Sequence, residues 1–303
     1  MQASFALYRH CTLCPRACGV DRTSGKAGVC HIDATCLVAH SMLHAWEEPC
    51  LSGTRGSGTV FFSGCPLGCV YCQNHAISRG RVGKPYTQSE LAALFLSLEA
   101  QGAHNVNLVT AQHFLPHVCE VISRAKEKGL SVPIVYNTSG YESVESLKML
   151  TGLVDIYLTD FRYLRADTAK KYSSAPDYPT VSERALAEMV AQTGAPVFDG
   201  EGMMTRGTLV RLLLLPSHLI EAKQILRRVY TAYGDRVYIS LMSQYTPTAE
   251  AAAHAPALGR RVSAREYASF VAYARTLGVT QAFVQEGSAA SESFIPDFNA
   301  KKD

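Results

Sequence analysis

The stretch GTVFFSGCPLGCVYCQNHAIS, residues 58–78, decides the reading of this chain. Its apolar start, Thr59–Ser63, has the composition of a buried strand. It runs straight into a loop with the spacing Cys65-x3-Cys69-x2-Cys72, where Pro66 and Gly68 permit tight turns. Gaps this short let three thiolates converge on one centre. Three is one fewer than the four that usually hold a cubane iron–sulfur cluster, so a 4Fe–4S centre bound here keeps one iron open to an outside ligand. The residues also allow a three-cysteine zinc site completed by His75.

Outward from this loop, short apolar runs alternate with amphipathic stretches, the pattern of parallel strands joined by helices. Strands are expected at Thr59–Ser63, Val106–Thr110, Val132–Asn137, Ile156–Thr159, Leu209–Leu215 and Val237–Met242, and a seventh is indicated near Gln281–Gln285. Thr87-x-x-Glu90 is a capping box opening the helix LAALFLSLEA. LPHVCEVISRAKEK stops at Gly129, SVESLKML near Gly152, and HLIEAKQILRRVY and AREYASFVAYARTLG complete the helices. A longer insertion, Tyr163 to Met204, carries the helix SERALAEMVAQ and interrupts the rhythm, in a place where substrate-contacting elaborations often sit. Periodicity does not separate a doubly wound sheet from a barrel. Both collect their chemistry at the C-terminal ends of the strands, which is where the three cysteines fall.

The 303 residues, 18% charged and 47% apolar, suit one large domain with an appendage. Twenty-nine Lys+Arg against 26 Asp+Glu leave +3 with no dense basic run, so no nucleic-acid partner is implied. There is no run of about 20 apolar residues, and the opening MQASFALYRHC lacks a signal peptide's apolar stretch, so no membrane partner and a cytoplasmic address are expected. In a reducing compartment, disulfides explain ten cysteines poorly. Nine of them lie in the first quarter of the chain. Besides the loop, Cys11, Cys14, Cys18 and Cys30 form a second group, sufficient for Zn²⁺, a rubredoxin-like iron or a second iron–sulfur cluster, with His10 and His31 as substitute ligands. A bound metal would cross-link a small Cys-rich segment, residues 1–52, ahead of a core at 53–290 and a tail at 291–303. Cys36, Cys50 and Cys119 lack close partners and read as small buried hydrophobes.

The three-cysteine motif at the end of a first strand, with Tyr71 just before the third cysteine, resembles the signature of the radical S-adenosylmethionine superfamily. The wider segment 58–78 is similar to the pyruvate formate-lyase activating enzyme branch. CTLCPRACGVDR, GKAGVC, GAHNVNLVT, PIVYNTSGY, VDIYLTDFRY and LMSQYTP resemble an uncharacterised activating-enzyme-like subfamily. The resemblance implies an α/β fold, a partial (β/α)6 TIM-like barrel. It also implies a 4Fe–4S cluster on Cys65, Cys69 and Cys72, S-adenosylmethionine as cofactor, and a flavodoxin or ferredoxin as reductase. The implied activity is that of an anaerobic oxidoreductase, which cleaves the cofactor to a 5′-deoxyadenosyl radical that takes a hydrogen atom from substrate. In activating enzymes that hydrogen belongs to a glycine of a partner protein. Fold likeness does not fix the substrate. A small molecule or another peptide residue is the second reading, and a non-catalytic metal or electron-transfer protein the third.

The resemblance also nominates cofactor contacts. Tyr71 is expected near the adenine, and Thr110 and Gln112 near the methionine amino group, although this chain lacks the Gly-Gly-Glu that activating enzymes carry there. Asn137 and Thr138 are expected near the ribose or methionine, and Asp160 and Arg162 stand where activating enzymes have Asp-x-Lys. Arg211, inside LVRLLLLP, is a charge in an apolar strand and needs a partner, for which a carboxylate fits; the family reading makes that partner the cofactor's carboxylate or ribose, with a structural salt bridge as the alternative. His113, Gln244 and Tyr245 are the substrate-facing candidates.

Overall fold

Each expected apolar run forms a strand in residues 5–284, which the computed structural model describes. In chain order the elements are β1 (Leu37–His44), α1 (Pro49–Ser52), β2 (Ser57–Phe62), α2 (His75–Ser78), β3 (Lys84–Pro85), α3 (Gln88–Ala100), β4 (Val106–Val109), α4 (Leu115–Glu127) and β5 (Ile134–Thr138). They continue with α5 (Val144–Lys148), β6 (Ile156–Asp160), α6 (Ala166–Ser173), α7 (Tyr178–Thr193), β7 (Val197–Phe198), β8 (Met204–Leu213), α8 (Leu219–Tyr233), β9 (Tyr238–Met242), α9 (Ala249–His254), α10 (Ala264–Thr276) and β10 (Ala282–Val284). The capping box of α3 is formed: Glu90 N donates to the Thr87 hydroxyl, and the Glu90 carboxylate accepts from Thr87 N at 2.9 Å.

The strands line up as β10-β9-β8-β6-β5-β4-β2-β1-β3, with β7 on the flank of β8. Every neighbouring pair from β2 to β10 is parallel, and the connecting helices cross over between them. Among the described residues no pairing joins β10 to β3, so the α/β barrel is partial.

Alternation along the strands separates two cores. Val106, Leu108, Ile134, Tyr136 and Tyr157 face outward into one cluster with α3, α4 and α7, and Val210, Leu212 and Ile239 into another with α8 and α10. Val135, Ile156, Leu158 and Leu209 point the other way and pack on Cys50 and Leu51 of α1. Asn105, just before β4, donates to the Leu51 carbonyl at 2.8 Å, so α1 plugs the N-terminal mouth of the barrel. The strands' C-terminal ends are left for chemistry.

Three strands were not legible, nor were the short helices α1, α2, α6 and α9. β1 lies inside the segment 1–52 read as an appendage, yet it pairs antiparallel with β2 from His44↔Ser57 to Val38↔Phe62, so the sheet begins before residue 53. Its apolar residues are interleaved with His40, Ser41 and His44, which hides it among the cysteines. β3 and β7 are two residues each, too short for any period. The insertion Tyr163–Met204 folds as α6, α7 and β7. The end of the core at 290 and the tail 291–303 lie outside the described residues. No helix among the described residues is long and apolar enough to cross a membrane.

Candidate functional site

The three-cysteine loop leaves β2 through Gly64, whose φ of +83° suits glycine alone; a Cβ there would strike Ile32 and the Cys30 carbonyl. Cys65, Cys69 and Cys72 line one wall of a cavity at the C-terminal strand ends. Their sulfurs are met by donors. The Ser173 hydroxyl of α6 donates to Cys69 Sγ at 3.1 Å and the Arg162 guanidinium at 3.7 Å. Leu67 and Gly68 N–H groups face the Cys65 thiol, and Ser78 and Asn74 supply Cys72. Burial and then the neighbouring thiols push Cys65 up to about 12, and the same causes raise Cys72.

The opposite wall is polar. Thr110, Asn137, Thr138, Ser139, Asp160, Arg162 and Arg211 complete the cavity, from the ends of β4, β5, β6 and β8. Thr110 holds a φ of +58°, a strained value for a β-branched residue at a functional rim. Arg211 bridges the wall, donating to Asp160 at 2.8 Å, to Asn137 at 2.7 Å and to Glu47 at 3.4 Å. Burial would raise Asp160, but Arg211 and Arg162 outweigh it and hold the carboxyl below its ordinary range. Glu47 also accepts from Asn107 at 3.1 Å and Asn137 at 3.3 Å, so one carboxylate touches β4, β5 and β8 from inside the barrel. Burial nonetheless raises it against the pull of Arg211.

Behind this wall, Glu142 is buried with its carboxylate bonded by the Thr138 and Tyr136 hydroxyls. Burial pushes it from the ordinary 4.5 to about 8, against those bonds. The native state therefore keeps a proton that the unfolded chain releases above 4.5, and stability falls as pH rises through that window to about 8. Thermal unfolding of Glu142→Gln is expected to lose this decline; an unchanged pH slope would mean another group carries it.

A second cavity, of about 390 Å³, lies on the other side of Arg211 and is lined by Trp46, Glu47, Glu48, Ser240, Gln244 and Phe283 among others. Glu48 is 8% exposed, and burial pushes it up to about 7.

The expected site residues divide accordingly. Thr110, Asn137, Thr138, Asp160, Arg162 and Arg211 line the first cavity with the cysteines, and Gln244 lines the second. Four lie elsewhere. Tyr71 is buried behind the loop, its hydroxyl paired with Tyr163 at 2.7 Å. Gln112 is tied to the Tyr141 carbonyl, His113 to the Ser63 carbonyl, and Tyr245 to the Leu258 carbonyl. Each of these four is 3% exposed or less, so packing and backbone satisfaction account for it. Glu47 and Glu48 were missed: two carboxylates before Pro49, ahead of any recognised strand, carry no spacing signal.

Cys11, Cys14 and Cys30 are buried and Cys18 is half-buried. Burial pushes Cys14 up to about 12, and the Cys30, Cys11 and Cys18 thiols add to the rise. Arg22, 1% exposed, donates to Cys11 Sγ at 3.7 Å and to the His113 and Asp33 carbonyls at 2.6 and 2.7 Å. It forms no carboxylate ion pair among the described residues. No three His, Cys, Asp or Glu side chains among the described residues are grouped to hold a single metal ion. Cys36 and Cys50 are buried and Cys119 half-buried, each packed among apolar side chains.

For the three-cysteine loop, sulfurs on one wall with hydrogen-bond donors aimed at them suit an anionic iron–sulfur centre. The comparisons with known proteins agree. Residues 59–188 match the family model described as the Radical SAM superfamily. The chain is 27% identical over 267 residues to an uncharacterized protein of Methanocaldococcus jannaschii, across 86% of this chain and 72% of that protein. The matched residues 59–188 build the cysteine loop and the strands β4 to β6, so the likeness to the Radical SAM superfamily falls on the three-cysteine wall and on the polar wall that β4 to β6 contribute.

Proposed function

We propose that the chain is a radical S-adenosylmethionine enzyme whose 4Fe–4S cluster is held by Cys65, Cys69 and Cys72. The observation that carries this reading is the single cavity shared by the three cysteines and the Asp160–Arg211 wall. When bound, the cluster and cofactor supply reductive cleavage to a 5′-deoxyadenosyl radical. The chain's own groups bind and orient. Asp160 and Asn137 accept from a cofactor amine or ribose, Arg211 and Arg162 face its carboxylate, and the buried lumen excludes water.

The substrate group enters the second cavity, which Arg211 separates from the first. In the activating-enzyme reading that group is a glycine of a partner protein, with flavodoxin or ferredoxin as electron donor. A small-molecule substrate is supported by the size of the second cavity and its buried Glu48. In the same reading, Cys11, Cys14, Cys18 and Cys30 hold a second metal or auxiliary cluster. The buried Arg22 cation beside Cys11 supports an anionic thiolate centre there.

The test is electron paramagnetic resonance of the anaerobically reconstituted, dithionite-reduced protein. Adding S-adenosylmethionine is expected to change the cluster signal, because the open iron gains a ligand. A reduced cluster whose signal ignores the cofactor would overturn the reading.

A further inference from the structure

Arg16 lies in the turn between Cys14 and Cys18, but its side chain serves the other cysteine group. Nε donates to the Pro66 carbonyl at 2.9 Å, and one terminal nitrogen donates to Leu67 at 3.2 Å and to Ser173 at 2.7 Å. The remaining nitrogen donates to the Ser174 carbonyl, and the guanidinium stands 5.3 Å from the Tyr141 ring centre. Arg16 forms no carboxylate ion pair among the described residues, so its charge is met by carbonyl dipoles.

The identity of those carbonyls matters. The Pro66 carbonyl shares a peptide unit with Leu67 N–H, and the Leu67 carbonyl with Gly68 N–H. These two N–H groups are the backbone donors that face the Cys65 thiol. In a trans peptide the C=O and N–H point in opposite directions. Arg16 therefore sits at the carbonyl end of two dipoles whose positive ends meet one sulfur. The third carbonyl belongs to Ser173, whose hydroxyl donates to Cys69. A fixed cation behind the Pro66 and Leu67 carbonyls polarises the N–H of each peptide toward the sulfur, strongly so at low dielectric.

We propose that Arg16 is a positioning residue which polarises the Leu67 and Gly68 peptides toward Cys65 and so favours the reduced, more negative state of the cluster. The leading cysteine segment thereby tunes the centre held by Cys65, Cys69 and Cys72. This rests on the assignment of a cluster to those three thiols.

The experiment is a redox titration of the reconstituted full chain, following the reduced signal that disappears in Cys69→Ala, with no cofactor added. Arg16→Gln keeps a donor and loses the charge. It is expected to lower the midpoint potential by about 59 mV, a tenfold shift in a one-electron reduction equilibrium. Arg16→Lys, which restores the charge, should recover most of that loss, with iron content unchanged in both. A wild-type potential in Arg16→Gln overturns the inference. So does an Arg16→Lys shift as large as that of Arg16→Gln, or an Arg16→Gln protein that loses its iron, since loop shape rather than charge would then be at work. If wild type itself holds no cluster that depends on Cys69, the proposed function falls along with it.

Discussion

Arg211→Met is expected to lower the free energy of unfolding by about 3 to 5 kcal/mol, the usual cost of leaving buried charges without their partner. The side chains of Arg211, Asp160 and Glu47 are 15%, 14% and 9% exposed, so water does little to compensate. Asp160 keeps Arg162, but among the described residues Glu47 is left with two side-chain amide donors inside the barrel. For a chain of this size the loss corresponds to a fall in Tm of roughly 5 to 8 °C. Glu47→Gln in the same protein removes the stranded charge and is expected to restore part of the stability. A loss under about 1 kcal/mol would mean the network behaves like a screened surface pair.

Replacing Cys65, Cys69 and Cys72 together by Ala is expected to remove about four irons per chain, because no other donor on that wall can take a thiolate's place. The metal that stays behind reports on the leading cysteines. Retained iron or zinc supports the second centre at Cys11, Cys14, Cys18 and Cys30. A metal-free triple variant, set against a wild type carrying no more than about four irons, contradicts it.

Much of the fold was written in the apolar runs. The β4, β5, β6 and β9 segments appear within two residues of expectation, because buried parallel strands are nearly continuous in Val, Ile and Leu. β1 escaped for the opposite reason: it is antiparallel, and its polar residues follow no clean alternation. In the site, spacing carried the cysteines, and the cost of a buried charge marked Arg211 as needing a partner, with the cofactor favoured over a protein carboxylate. The structure supplies two carboxylates, Asp160 and Glu47, from positions 51 and 164 residues away in sequence. Tyr71, Gln112, His113 and Tyr245 illustrate the converse. Motif position brought them near the site, but which way each side chain turns is set by packing, and all four turn into the protein. Arg16 and Glu48 matter only through what the fold brings to them.

The most direct test of the central claim is formation of 5′-deoxyadenosine by the anaerobically reconstituted chain with dithionite and S-adenosylmethionine. Wild type is expected to form it, and Cys69→Ala, which leaves the leading cysteines intact, to form none. No product from a wild type that carries its full iron, or equal product from Cys69→Ala, would contradict the account.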